Sequence, residues 1–301
     1  MADWGHDLRD ARLLTAASRS DGTVTTLGEG PIWDDRARCV YFVDIVGHQV
    51  FRLDGADLSA RTVIHTSDRE VTCVLPATDG GLLFVERDRI VTRSPDGILQ
   101  QGPSMLDDPQ RRFNDGICDP QGRLLIGTLH EGGADGEEFL LRIASSGSVD
   151  VIVSGLTLSN GLGFDPSGKR MYHVDTLRHL VNVYDYTAAM PMLVHSFTVA
   201  PGYPDGLTVD AEGFVWVAVW GGSEVRRYSP DGILDARLPV PARNVTAPAF
   251  VGDALDELIV TTATDGLDLP TNADGGLYRA NVGVRGVVPY RWAGSTSGKP
   301  E

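Results

Sequence analysis

The sequence predicts an all-β fold, a six-bladed β-propeller with four antiparallel strands per blade, and three observations carry that reading. One plan recurs along the chain: an oxygen-bearing side chain, a short apolar run, an Asp-led turn and a returning strand. Its clear copies open on Glu29, Asn114, Asn160 and Asp205, and each has an Asp five positions later, at Asp34, Asp119, Asp165 and Asp210. The spacing is regular. Asn114 and Asn160 lie 46 residues apart, Asn160 and Asp205 lie 45 apart, and the 85 residues from Glu29 to Asn114 hold two units. No stretch shows sustained helical periodicity. Units of this length with about four short strands each mark a propeller, and counting them gives six.

Taken in order, residues 1–22 carry no strong strand pattern and read as a leader, with a helical turn around 10–17. A strand over 23–27 feeds the first copy. It is also expected to complete the last blade, closing the ring and covering sheet edges. Residues 23–301 then form one domain, since no linker interrupts the series. Alternation and turn dipeptides place strands at 39–43 and 50–53, then at 71–76, 82–86 and 89–93. The third unit gives 114–118, 124–128 and 139–143, and the fourth gives 160–164, 171–174 and 181–186. The fifth gives 206–209, 215–219 and 224–228. The sixth gives 247–251, 258–262, 276–279 and 287–292. The second unit has its turn at Asp79-Gly-Gly81, so counting back five puts Val74 at the ligand position, and Pro248 falls near it in the sixth.

Composition narrows the function. The chain has 301 residues, 42% of them hydrophobic, enough for a sizeable core, and a formal net charge of -15. That charge argues against nucleic acid or an anionic membrane as partner and fits an acidic mouth that attracts a cation. Cys39, Cys73 and Cys118 are odd in number and lack metal-binding or disulfide spacing, which favours a reducing, cytoplasmic setting. The charged N-terminus is no secretory signal, and no apolar run is long enough to span a membrane. A monomer or weak dimer is expected.

The innermost strand of each blade lines the central channel, so residues at one phase of the repeat share one mouth. Carboxylates from Glu29 and Asp205 and an amide oxygen from Asn160 suit a divalent cation. Asn114 offers a fourth oxygen, to the ion or to its bound water. The alternative is that Asn-Asp-Gly, Asn-Gly and Asp-Gly are simply turn dipeptides; the shared five-residue phase speaks for the ion. Arg112, two residues before Asn114, should reach the same mouth. His130 and Glu131, just past a second strand, are rim candidates for substrate contact.

These segments carry a resemblance. The chain is similar to the SMP-30/gluconolactonase/luciferin-regenerating-enzyme-like family through Leu27-Gly-Glu-Gly-Pro31, Arg112-Phe-Asn-Asp-Gly116, Ser159-Asn-Gly161 and Pro204-Asp-Gly206, in that order. Thr264-Asp-Gly266 and the closing segment 286–294 extend it over nearly the whole chain from about residue 25. The resemblance implies one catalytic divalent cation, Ca2+ or Zn2+ first and Mn2+ or Mg2+ next, held by Glu29, Asn160 and Asp205. It also implies substrate positioning by Arg112 and Asn114. Some animal members carry an acidic residue where this chain has Gly132, with Glu131 just before it, and residues 131–138 read as a loop over the mouth. The function so indicated is hydrolysis of a sugar lactone such as gluconolactone, xylonolactone or arabinonolactone, with Asp205 as the catalytic carboxylate. A phosphotriesterase-like hydrolase and a non-enzymatic calcium-binding propeller are the alternatives.

Overall fold

The computed structural model of the protein describes residues 12–13, 18–19, 24–54, 58, 60–133 and 136–297. The fold is all-β and propeller-like. Among the described residues the sole helical element is one 3-10 turn, Thr176–Arg178. Four sheets are antiparallel quartets in simple up-and-down order, and their innermost strands are Gly28–Asp34, Val71–Pro76, Arg111–Cys118 and Ser159–Phe164. The remaining strands share one nine-stranded sheet. Within it, Tyr203–Val209 opens one run of four and Asn244–Val251 opens another, and the two runs meet through a single pair, Trp220 and Asn244. Six separate quartets were expected from the sequence; four stand alone and the others are fused.

Two N-terminal expectations change. Within 10–17, Arg12–Leu13 is extended and pairs in parallel with Ala236 and Arg237 where a helical turn was expected; the rest of that stretch is outside the described residues. The edge strand beside Tyr278–Asn281 is Ser18–Arg19. From the expected strand over 23–27, Leu27 contributes one bridge to Ala263, and the Thr25 N–H donates to Gly275 O at 2.8 Å.

Burial grades outward from the innermost strands. Val71–Pro76 and Ser159–Phe164 are buried at every residue, whereas an outer strand such as Leu99–Gln101 is exposed throughout. The layers between sheets hold the core. Trp216, fully buried, meets Phe250 edge-on at 6.1 Å and donates its indole N–H to Asp210 Oδ2 at 2.9 Å. Each such aromatic side chain stabilises the fold by roughly 1.5–3 kcal/mol through burial.

The Asp-led turns have a clear cause. Asp119 Oδ1 accepts the N–H groups of Gln121 and Arg123, both at 2.9 Å, and Asp210 Oδ1 those of Glu212 and Phe214, both at 3.0 Å. Each carboxylate thereby satisfies the backbone of its own turn. Gly122 and Gly213 complete these turns at φ 73 and 85, where a side chain would be strained.

The segment 285–296 crosses the face on which these turns lie. Expected as a strand over 287–292, it is instead an irregular strap. Ala211 N donates to Arg285 O at 2.7 Å, Ala293 N to Gly122 O at 2.8 Å, and Trp292 N to Pro76 O at 3.0 Å. Arg291 reaches Asp34 at 2.6 Å, and Thr296 N reaches Asp79 at 2.7 Å. Tyr290 meets Phe164 edge-on at 6.0 Å, so the strap touches all five sheets at one end of the channel. A strand there would need a partner edge, and none is available across the ring.

Candidate metal centre

Every innermost strand carries a β-bulge near the opposite end of the channel. The register slips between Glu29 and Ile32, Phe113 and Gly116, Ser159 and Leu162, Pro204 and Leu207, Val71 and Cys73, and Val245 and Ala247. A bulge bends a strand and re-aims its side chains. Here it turns Glu29, Asn114, Asn160 and Asp205 into a single cavity of about 320 Å³, with Arg112 and Thr176 beside them.

The dipeptides open to a turn reading lie inside strands. Asn114-Asp-Gly116 falls in Arg111–Cys118, Asn160-Gly161 in Ser159–Phe164, and Asp205-Gly206 in Tyr203–Val209. Their glycines serve close approach. A Cβ on Gly161 would sit 2.4 Å from Asp205 O, and one on Gly206 would sit 2.5 Å from the Ala247 side chain. Without those atoms neighbouring inner strands converge, and Asn160 Nδ2 comes to 2.5 Å from Asp205 Oδ1.

Hydrogen bonds fix the direction of each side chain. Asn160 Nδ2 also donates to Thr176 Oγ1 at 3.2 Å, so its amide oxygen is left to accept. Asn114 is committed at both ends: its Oδ1 accepts Arg112 Nη1 at 2.9 Å and its Nδ2 donates to Ser159 O at 3.0 Å. Asn114 therefore steadies Arg112, and the three remaining oxygen donors are Glu29, Asn160 and Asp205.

Electrostatics point the same way. Burial, followed by Asp205 and Asp115, raises the Glu29 carboxyl well above its ordinary range. Burial and then Asp115 do the same to Asp205, and burial brings Asp115 up to about 6. Burial also lowers the Arg112 guanidinium, against the pull of Glu70, Glu131 and Glu29. Carboxylates crowded in this way, beside a free amide oxygen, fit a divalent cation, whose charge reverses the repulsion between them. No group of three or more His, Cys, Asp and Glu suited to a metal occurs among the described residues. The donor set here differs by counting an Asn as its third member.

Two rim candidates fall outside the cavity lining. Glu131 is held by Arg87 through a pair of 2.9 Å bonds. His130 Nδ1 accepts the Gly132 N–H at 3.1 Å while Nε2 faces Asp108 at 3.4 Å. Both are engaged by residues that do not line the cavity, Glu131 by Arg87 and His130 by Asp108 and Gly132. Glu131 acts on the site at one remove, as part of the field around Arg112.

The positions without a ligand also move. Ala77 N donates to Gly81 O just as Asp119 N does to Arg123 O and Asp210 N to Phe214 O, so Ala77, and not Asp79, holds the turn position of its sheet. Counting back five from Ala77 gives Thr72, inside the bulge, and the matching residue of the last unit is Thr246. Val74 and Pro248 lie deeper, lining a separate cavity of about 50 Å³ with Asp115. Thr72 and Thr246 turn their hydroxyls to backbone carbonyls, Val85 O at 3.5 Å and Gly28 O at 2.5 Å. Sequence reading also missed Tyr203, Leu177 and Leu158 in the lining, since apolar residues at strand ends carry no signal of a cavity.

A propeller-like all-β fold that gathers oxygen-bearing side chains in one cavity beside an arginine defines the class of this protein. The chain belongs to the SMP-30/Gluconolactonase/LRE-like family, whose profile matches residues 27–264. It is 35% identical over 287 residues to the pentonolactonase XacC of Haloferax volcanii, covering 89% of this chain and 95% of that one. It is 34% identical over 303 residues to an L-arabinolactonase of Azospirillum brasilense, covering 92% and 95%. Among solved structures, a calcium-binding regucalcin from Agrobacterium tumefaciens superposes with a TM-score of 0.85 at 28% identity, covering 94% of this chain and 99% of that one.

Proposed function

We propose that this chain is a divalent-cation-dependent hydrolase of sugar lactones, with Glu29, Asn160 and Asp205 holding the cation. The observation that carries the reading is the convergence of those three oxygens from three strands into one cavity beside Arg112. Relatives named as a pentonolactonase and an L-arabinolactonase support the reaction class. Among the described residues no His or Cys lines the cavity, which suits calcium, manganese or magnesium better than zinc.

A cation bound there supplies Lewis-acid polarisation of the lactone carbonyl. Asp205 accepts the proton of the water that adds to the carbonyl carbon. As the ring C–O bond breaks, Asp205 returns that proton to the leaving ring oxygen, giving the aldonic acid. Arg112, fixed by Asn114 and Phe113 O at 2.9 Å each, donates its other N–H groups to substrate oxygens.

The fused sheet reads as two adjoining blades, giving six, and the single Trp220–Asn244 link supports that division. Closure of the ring is supported by the Leu27–Ala263 bridge and by the bond from Thr246 to Gly28, which tie the last unit to the first. Three buried, unpaired cysteines support a reducing compartment.

The test is acid release from a panel of aldonolactones by protein stripped with chelator and reloaded with single cations. Metal-dependent release supports the proposal. A second reading, a calcium-binding propeller without activity, draws on the regucalcin structure described as calcium-binding. Stoichiometric calcium with no release from any lactone would favour it.

A further inference from the structure

The Thr176 hydroxyl stands between two of the side chains assigned to the cation. It donates its proton to Pro204 O at 2.9 Å, the carbonyl just before Asp205. A hydroxyl has a single proton to give, so toward Asn160 the same oxygen can only accept, and Asn160 Nδ2 donates to it at 3.2 Å. The other N–H of that amide goes to Asp205 Oδ1. With its nitrogen set between two acceptors, the amide leaves Oδ1 to face a ligand. The flipped amide would turn Oδ1 onto the Asp205 carboxylate and onto a hydroxyl whose proton is already committed.

Thr176 is itself firmly placed. It is buried and opens the 3-10 turn Thr176–Arg178. Its N–H donates to Leu158 O at 3.1 Å, and its carbonyl accepts the His179 N–H at 2.9 Å. His179 closes the turn in the left-handed region, at φ 56. The preceding Asp175 is fully buried and accepts the Thr157 N–H at 3.1 Å and Arg178 Nη1 at 2.8 Å, which locks the junction between strand and turn. Of the two acceptors on Asn160 Nδ2, Thr176 is therefore the one fixed by the main chain, whereas Asp205 is shared with the cation.

We infer that Thr176 is a positioning residue of the cation site, whose hydroxyl keeps the Asn160 amide oxygen turned to the ion. The inference rests on the cation reading and goes beyond it by assigning cation affinity to a side chain that supplies no ligand oxygen. An amide held through both N–H groups has its plane fixed. Held through one, it pivots about the remaining bond, and that freedom is lost only when the ion binds. Groups that orient metal ligands in this way set affinity by about 10–100-fold.

The experiment titrates the full chain, stripped with chelator, with calcium in a calorimeter. Terbium luminescence lifetimes in H2O and D2O then count the waters left on a bound ion. Thr176→Val is expected to weaken calcium by about 10–100-fold and to leave about one more water on terbium, as the amide oxygen comes off the ion. Thr176→Ser, which keeps the hydroxyl, should stay within about threefold of the parent. Thr176→Ala repeats the loss without the branched side chain, so the result does not hang on the folding of one variant. Thr128→Val is the control. Thr128 is fully buried, and its hydroxyl bonds Phe139 N and O at 3.1 and 3.2 Å outside the cavity, so its loss should leave calcium affinity unchanged. In an Asn160→Ala background, Thr176→Val should add little further loss, because Thr176 acts through Asn160. Unchanged affinity and water count in both Thr176→Val and Thr176→Ala overturn the inference and leave the cation reading intact. So does an equal loss in Thr128→Val, or a full additional loss in the Asn160→Ala background. A parent chain that binds neither calcium nor terbium overturns the cation reading itself, and this inference with it.

Discussion

The two ends of the channel are built from the same strands and have opposite characters. At the base, carboxylates are matched. Asp34 meets Arg291, Asp79 meets Thr296, and hydrogen bonds outweigh burial to hold both carboxyls below their ordinary range. At the mouth, Glu29 and Asp205 share one cavity, with Asp115 in the smaller one below it, and burial drives all three upward. The base is a structural seam in which the Asp34 and Asp79 carboxylates both have partners. The mouth holds charge the fold does not neutralise, and a protein keeps such a cluster where a ligand will complete it. The contrast teaches that position within the repeat, and not residue type, separates the binding aspartates from the structural ones: Asp205 and Asp210 lie five residues apart on one strand and its turn.

Substitutions at the two ends should therefore split stability from function. The largest effect is expected for Asp205→Ala. Loss of a cation oxygen should lower kcat/KM by at least about a hundredfold, while chelated protein unfolds at an equal or higher temperature because a repelling carboxylate is gone. A clear drop in the melting temperature of the metal-free variant would place Asp205 among the structural aspartates.

Arg291→Ala at the base should do the reverse. Breaking the buried contact with Asp34 should cost about 1–3 kcal/mol in denaturant unfolding, with kcat/KM within twofold of the parent. A large loss of turnover with unchanged stability would mean that the strap communicates with the mouth.

Arg112→Ala should keep one cation per chain and raise KM, with about a tenfold loss in kcat/KM. Loss of the cation in a folded variant would move Arg112 from substrate to ion.

The smallest effect concerns acid. His173 is fully buried against Ser159, and burial lowers its pKa to about 4. Its unfolded form titrates near 6.5, so between roughly pH 6.5 and 4 the unfolded chain binds the extra proton. The stability that neutral His173 contributes is full above that window and falls as pH drops through it. His173→Gln should flatten the pH dependence of unfolding there. An unaltered slope would mean that His173 is not the source of acid sensitivity in that window.

Much of this was legible in the sequence, for a physical reason. Inner strands are buried and bounded by Asp-led turns, so both their pattern and their spacing show. The convergence of Glu29, Asn160 and Asp205 follows from phase alone. The outermost strands, such as Ala60–Thr66 and Met192–Thr198, escaped notice because they are mostly exposed and show no alternation. Val74 was taken for Thr72 because Asp79 lies two residues beyond the turn position that Ala77 fills. The commitment of Asn114 to Arg112 was invisible, since spacing does not reveal which neighbour an amide will choose.

The central claim is that the mouth is a cation site completed by Glu29, Asn160 and Asp205. It is tested most directly by calorimetric titration of chelated protein with calcium in buffers of different ionisation enthalpy. The account predicts one cation per chain and release of protons on binding, because carboxyls raised by burial, and next by their acidic neighbours, must ionise to coordinate. It predicts that both signals disappear in Asp205→Asn. Binding with the same stoichiometry and proton release in that variant would contradict it.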